Sequence, residues 1–336
     1  MRRLVVLLVG AGLLLPAAPA LASGRLAAAA ASRHVEGEAL AVLERAVHAG
    51  RTVGYRGRQS VATWRDADER SAAVLEVSHR PGHRSVLRAP DRSRAVPGVA
   101  TAALDARVVS LLAASYDLSL AGSGRCTGRS ATVVEARRAD GEVAGRFWVD
   151  DASGLLLRRE VYGEAGRRLR SSEFVDLEVR TAADVPAEQT TDLAAAVEEL
   201  RADGWRVPEG LPGGFRLFDA RLSAPDEPEH VLHLAYSDGL STTSLFAQRG
   251  ALGSAPPDGF RREDVAGRPV WVRSDVPERV VWSGGGRVWT LVSDAPGDVV
   301  RDAVATLPRD RAERAGVLAR LGRGLGRLAS ALNPFG

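Results

Sequence analysis

With 336 residues, 45% of them hydrophobic and only 5% aromatic, the chain has enough aliphatic material for two ordinary cores. All 45 basic residues are arginine, and 42 acids nearly balance them. The formal charge of +3 excludes the strongly basic surface of a nucleic-acid binder. Cys126 is the single cysteine, so an internal disulfide is excluded and packing must hold the fold.

Arg2 and Arg3 precede an apolar run over 4–15, and Ala20-Leu21-Ala22 supplies a small-x-small cleavage site. This pattern reads as a secretory signal over 1–22 and predicts export to the periplasmic or extracytoplasmic side of the envelope. An uncleaved N-terminal anchor is the alternative. No cysteine follows the run, which argues against a lipoprotein anchor.

Residues 23–36 are alanine-rich without clear periodicity and read as a linker. Leu40, Leu43 and Val47 then predict a helix over 36–49, with Gly50 as its stop. From Arg51 the pattern is strand-like: Val53, Tyr55, Val61 and Trp64 in one stretch, and Ala73, Leu75, Val77 and His79 alternating in the next. Pro81-Gly82 marks a turn, and 85–88 begins another strand. A second helix is predicted over 101–115, with Thr101 as N-cap and Leu104, Val108, Leu111 and Leu112 as its apolar stripe.

Strands follow at 132–137, 145–149, 155–162 and 169–179, joined by turns at 150–154 and 164–166. Such short connections make neighbours antiparallel and exclude a doubly wound parallel sheet. The polar stretch 181–204, with a short helix over 193–201, reads as the boundary between a domain at 38–180 and one at 205–308. The second half carries strands at 215–222, 230–237, 241–248, 269–274, 280–282 and 287–293, and a closing helix at 297–306. Asp238-Gly239 reads as a tight hairpin turn that fixes register. Trp271, Trp282 and Trp289 share a hairpin around Gly284-Gly285-Gly286 and are expected to pack internally.

Catalytic and metal signals are weak. His230 and His233 stand three apart on a strand and point to opposite faces. His79 and His83 flank a turn without a third ligand. Asp66, Asp68 and Glu69 read as a solvated loop, as do Asp150 and Asp151. No G-x-S-x-G, P-loop, H-E-x-x-H or cofactor motif occurs, so an enzyme is not expected. Cys126 reads as a semi-buried packing residue.

In the tail over 309–336, Leu318, Leu321, Leu325, Leu328 and Leu332 recur at three and four, with Arg320, Arg323 and Arg327 off that line. This is a basic amphipathic pattern. It could contact an anionic membrane or a partner, or dock on its own domain. Gly322, Gly324 and Gly326 weaken the helix, each by about 1 kcal/mol relative to alanine.

Two sets of residues resemble a known family. In the first half, Tyr116-Asp117-Leu118 leads to Gly128-Arg129 and Val133-Val134-Glu135, then to Phe147-Trp148-Val149-Asp150 and Ser153-Gly154-Leu155-Leu156-Leu157-Arg158. In the second half stand Leu211-Pro212-Gly213-Gly214-Phe215 and Tyr236-Ser237-Asp238-Gly239-Leu240, followed by Leu245-Phe246. In this order and at these intervals they resemble the MucB/RseB family over about 38–308.

The resemblance implies an α+β fold. A half-open antiparallel β-barrel with covering helices, similar to the carriers LolA and LolB, would be followed by a smaller antiparallel α+β domain. It also implies a regulator that binds the ectodomain of a membrane anti-sigma factor, shields it from proteolysis and responds to a lipid-like envelope-stress signal. A lipid or lipoprotein carrier or chaperone using the same cavity is the alternative. Candidate cavity liners are Val53, Tyr55, Val61, Leu75, Val77, Leu104, Val108, Leu111, Phe147, Val149, Leu155, Leu157, Tyr162 and Phe174. A filled core would use the same residues.

Overall fold

The computed structural model describes residues 20–64, 70–83, 85–88, 96–97, 104–182, 192–223, 230–253, 255–274 and 277–307. Asp66, Asp68, Glu69 and Thr101 lie outside them, as do Arg2, Arg3 and the whole tail with Leu318, Arg320, Leu321, Arg323, Leu325, Arg327 and Leu328.

The first helix, α1, spans Ala20–Thr52. The stretch 23–36, expected as a linker, is therefore helical, in keeping with alanine's helix propensity. Gly50 does not end it, and the Thr52 hydroxyl donates to the His48 carbonyl at 2.9 Å in the last turn. Its buried stripe is Ala39, Leu43 and Ala46, with Leu40 and Val47 at the flanks.

An antiparallel sheet of nine strands wraps over this helix. Its members are β1 (Val53–Trp64), β2 (Arg70–His79), β3 (Val86–Arg88), β4 (Val96–Pro97), β5 (Asp117–Cys126), β6 (Arg129–Arg137), β7 (Val143–Asp150), β8 (Leu156–Tyr162) and β9 (Arg168–Ala182). The spatial order is β4-β3-β2-β1-β9-β8-β7-β6-β5, and among the described residues the end strands do not pair, so the barrel is half-open. Thr127 and Gly128, both at positive φ (50° and 77°), form the two-residue turn between β5 and β6. That turn matches the right-handed strand twist.

The second helix, α2 (Ala106–Ser115), begins five residues after the expected cap. Asp105 takes that role: its carboxylate accepts from the backbone of Arg107 (2.7 Å) and Val108 (3.4 Å). Leu104, Val109 and Leu112 are buried with α1 against Val134, Phe147 and Val161 of the sheet. Strand β5 escaped the sequence reading because it is polar and glycine-rich; edge pairing with β6 makes it a strand.

The second sheet has eight strands: β10 (Gly210–Leu211), β11 (Phe215–Ser223), β12 (Val231–Ser237), β13 (Thr242–Arg249), β14 (Arg261–Val265), β15 (Arg268–Arg273), β16 (Glu278–Gly284) and β17 (Arg287–Ser293). Their order is β10-β11-β12-β13-β17-β16-β15-β14, antiparallel throughout. Helices α3 (Leu193–Ala202) and α4 (Gly297–Thr306) lay Val197, Leu200, Val300 and Val304 against Trp205, Leu234, Leu245 and Trp282. Trp282 and Trp289 stack with ring centroids 6.2 Å apart, while Trp271 remains half-buried. The chain is thus an α+β protein of two open antiparallel sheets with few helices. Each sheet has its own core, here called the N-terminal and C-terminal modules.

Candidate functional site at the module junction

The motif residues of the first half converge at the turn after β7. Asp150 accepts from Arg129 Nε (3.0 Å) and Nη2 (2.6 Å), and from the Ser153 amide (2.8 Å) and hydroxyl (2.6 Å). Its side chain is 1% exposed, so the solvated turn expected for Asp150 is corrected to a buried ion pair. Burial alone raises its pKa, but the hydrogen bonds from Arg129 and Ser153 outweigh burial and hold the carboxyl below its ordinary range. Gly154 at φ 76° brings this turn onto α1, where a Cβ would lie 3.1 Å from Ala49. The G-R, W-x-D and S-G-L residues therefore make one structural clamp, and Arg158 from the same run lies over Trp148 at 4.7 Å.

The candidate cavity residues divide among separate packing clusters. Leu104, Phe147 and Val149 join the core under α1 and α2. Val53, Tyr55, Val77, Leu155 and Phe174 form a second cluster, with Tyr55 and Phe174 edge to face at 5.9 Å. Leu157 belongs to a third with Cys126 and Ala131. A register shift between Trp148 and Val149 distributes Leu155, Leu156 and Leu157 over three clusters. Tyr162 is buried, and its hydroxyl donates to Glu160. Val61, Leu75, Val108 and Leu111 are half-buried.

Two of these residues border open concavities. Val77 lies at one of about 640 Å³ on the N-terminal sheet, where Arg56, Arg58 and Arg88 face Glu76, Asp176 and Glu178. Its walls carry the pairs Arg56–Glu178 (2.7 Å) and Arg58–Asp176 (2.5 Å). Leu111 borders a cleft of about 450 Å³ between the modules, with Tyr116, Arg138, Arg216 and Asp238.

The junction beside that cleft is built by Tyr236-Ser237-Asp238-Gly239-Leu240. These residues do not make a two-residue hairpin: Ser237 pairs with Thr242, so 238–241 form a longer connection that enters the N-terminal module. Asp238 Oδ1 accepts from the amides of Leu240 (2.8 Å) and Ser241 (2.6 Å), and Oδ2 accepts from the Tyr116 hydroxyl (2.8 Å). Arg159 on β8 and Arg170 on β9 each donate to the Leu240 carbonyl at 2.7 Å. Arg170 also pairs with Asp294, whose Oδ1 accepts from the Thr242 amide at 2.7 Å. Arg107 at the start of α2 donates to the Phe218 carbonyl at 2.9 Å.

Enclosure between the modules removes water from both cations. Desolvation takes Arg159 down to about 10 and Arg170 to about 9, so both remain charged at neutral pH. Burial, then the neighbouring Asp238, raises the Tyr116 phenol above its ordinary value. Sequence reasoning missed Arg159 and Arg170. Their only signal was a cation inside the apolar strand patterns over 155–162 and 169–179.

The histidines do not assemble. His79 is buried, stacks on Tyr55 at 5.1 Å and meets Ser85 Oγ at 3.2 Å through Nδ1. His233 stacks on Phe246 at 4.5 Å, and burial takes it down to about 4. Among the described residues no group of three or more His, Cys, Asp or Glu is placed to hold a metal ion. No described helix is long and apolar enough to cross a membrane.

Two open antiparallel sheets, the first wrapped over helices and joined to the second through enclosed arginines, define a class of α+β scaffold. Residues 76–195 match the MucB/RseB N-terminal domain. Among solved structures, a complex of Pseudomonas aeruginosa MucA and MucB is similar at 25% identity and a TM-score of 0.46, covering 82% of this chain and 100% of that one. A structure of MucB with MucA(peri) is similar at 25% identity and 0.44, covering 81% and 100%. A LolA superfamily protein of Nitrosomonas europaea is similar at 13% identity and 0.19, covering 46% of this chain and 97% of its own. No curated protein matches the chain.

Proposed function

We propose that this chain is an extracytoplasmic binding protein that holds the exported part of a membrane anti-sigma factor and shields it from proteolysis. The observation that carries the reading is the MucB/RseB N-terminal domain over residues 76–195. MucB is described in complex with MucA, and the proposal assigns this chain a partner of that kind. The chemistry fits a binder. The charged groups around Asp150 and at the junction are engaged in ion pairs and backbone contacts that hold the scaffold together.

On the same reading an acyl-bearing lipid is the releasing signal. The apolar interior from Leu104 and Phe147 to Tyr55 and Phe174 would receive its chain, each buried methylene contributing about 0.8 kcal/mol. The basic amphipathic tail, with Arg320, Arg323 and Arg327, would lie on an anionic membrane surface. The test mixes the purified exported chain with the ectodomain of an anti-sigma factor from the same cell, at micromolar concentration and with the ectodomain's cleavage by its protease as a second readout. Co-elution and slowed cleavage are expected. Failure to associate, with or without the tail, refutes the proposal.

A further inference from the structure

We infer that Leu240 is a detachable plug: the C-terminal module closes an apolar socket in the N-terminal module with this one side chain. Opening the junction would then expose the socket to an aliphatic chain. The socket belongs to the apolar interior that the proposed acyl signal would enter, so its filling by a lipid rests on that reading, whereas the separation of the modules is measured without any protein partner.

Leu240 is 3% exposed, yet it belongs to the core of the other module, with Leu112, Val134, Phe147 and Val161. Among the described residues it is the only member of that cluster from beyond β9. The socket is shaped for it. Gly145 on β7 lacks the Cβ that would stand 2.6 Å from Leu240 Cδ2. Gly239, at φ 96°, lets the turn press directly on the α2 backbone.

The contacts around the plug are polar: Arg159 and Arg170 to backbone carbonyls, Tyr116 to Asp238, Arg107 to the Phe218 carbonyl and Arg170 to Asp294. Water can replace each of these partners once the modules part, whereas it cannot solvate the vacated apolar socket. A junction with one aliphatic anchor inside a polar collar is separable, unlike a continuous core. Relative motion is the default for interfaces of this polarity. An aliphatic chain binds the open state only, so occupancy and opening are linked.

The experiment uses the full exported chain with spin labels on cysteines introduced at exposed Val175 and Arg249, leaving Cys126 buried. Pulsed EPR reads the distance between modules, and dansyl-undecanoic acid is the aliphatic probe. The unsubstituted chain should give one narrow distance. Leu240→Ala should broaden it and tighten probe binding about tenfold, the scale of one leucine burial. Gly145→Leu fills the socket from its own wall; it should broaden the distance without tightening the probe. Circular dichroism and Cys126 protection check that both variants fold. A narrow distance kept by either variant, or unchanged probe affinity in Leu240→Ala, overturns the inference.

Discussion

Replacing Gly239 by alanine tests the junction at its tightest point. The added Cβ would lie 2.4 Å from Leu112 Cα and 2.5 Å from its amide nitrogen, atoms of a helix backbone that cannot rotate aside. Restoring ordinary contact requires the turn to withdraw by about 1 Å. The φ of 96° adds backbone strain of about 1–3 kcal/mol. Overpacking against α2 adds about 1–3 kcal/mol. The expected loss is therefore about 2–6 kcal/mol, read by urea unfolding followed through tryptophan fluorescence. Gly285→Ala is the control: its φ is 64° and nothing lies within 4 Å, so only strain of about 1–2 kcal/mol applies. If Gly239→Ala loses no more than this control, the turn is not wedged against α2 and the account of the junction fails.

Asp150→Ala should lower stability by about 2–4 kcal/mol, because Arg129 and the Ser153 amide lose a buried acceptor; a loss under about 0.5 kcal/mol by urea unfolding contradicts the clamp. Stability should fall as pH drops below 6.5. His79 and His233 are lowered in the fold, the latter to about 4, so the unfolded chain binds their protons first. Further acidification should remove the stability of Asp150 and Glu160, whose carboxyls are held below their ordinary range by hydrogen bonds that outweigh burial. A flat unfolding midpoint between pH 7 and about 4 would contradict these shifts. Cys126 is buried and its thiol is pushed up to about 11 by burial and then Glu173, so a disulfide reagent at pH 8 should react slowly with the native protein and quickly in urea. Equal rates in both would place the thiol at the surface.

Much of the fold was legible because its signals are local. Strands β6 to β9, β12, β13 and β17 show themselves through alternation and glycine turns within a few residues of one another. Asp192, just before the predicted helix, caps α3 through its own neighbouring amides at 3.0 and 3.3 Å. The edges were less legible. Strands β5 and β14 are polar, and pairing with a neighbour, not composition, makes them strands. The N-terminal start of α1 was hidden because an alanine-rich segment has helix propensity without an apolar period.

By itself the sequence determined the antiparallel class and most strands of the two separate sheets, since periodicity and turn chemistry act over short spans. Only the tertiary structure decided which charges are enclosed and what they hold. Arg170 meets Leu240 across 70 residues, Arg159 meets it across 81, and Tyr116 meets Asp238 across 122. Burial of a charge depends on what the distant chain brings to it, and no local pattern encodes that. The same holds for Leu240, which reads as the end of a turn and becomes part of the other module's core.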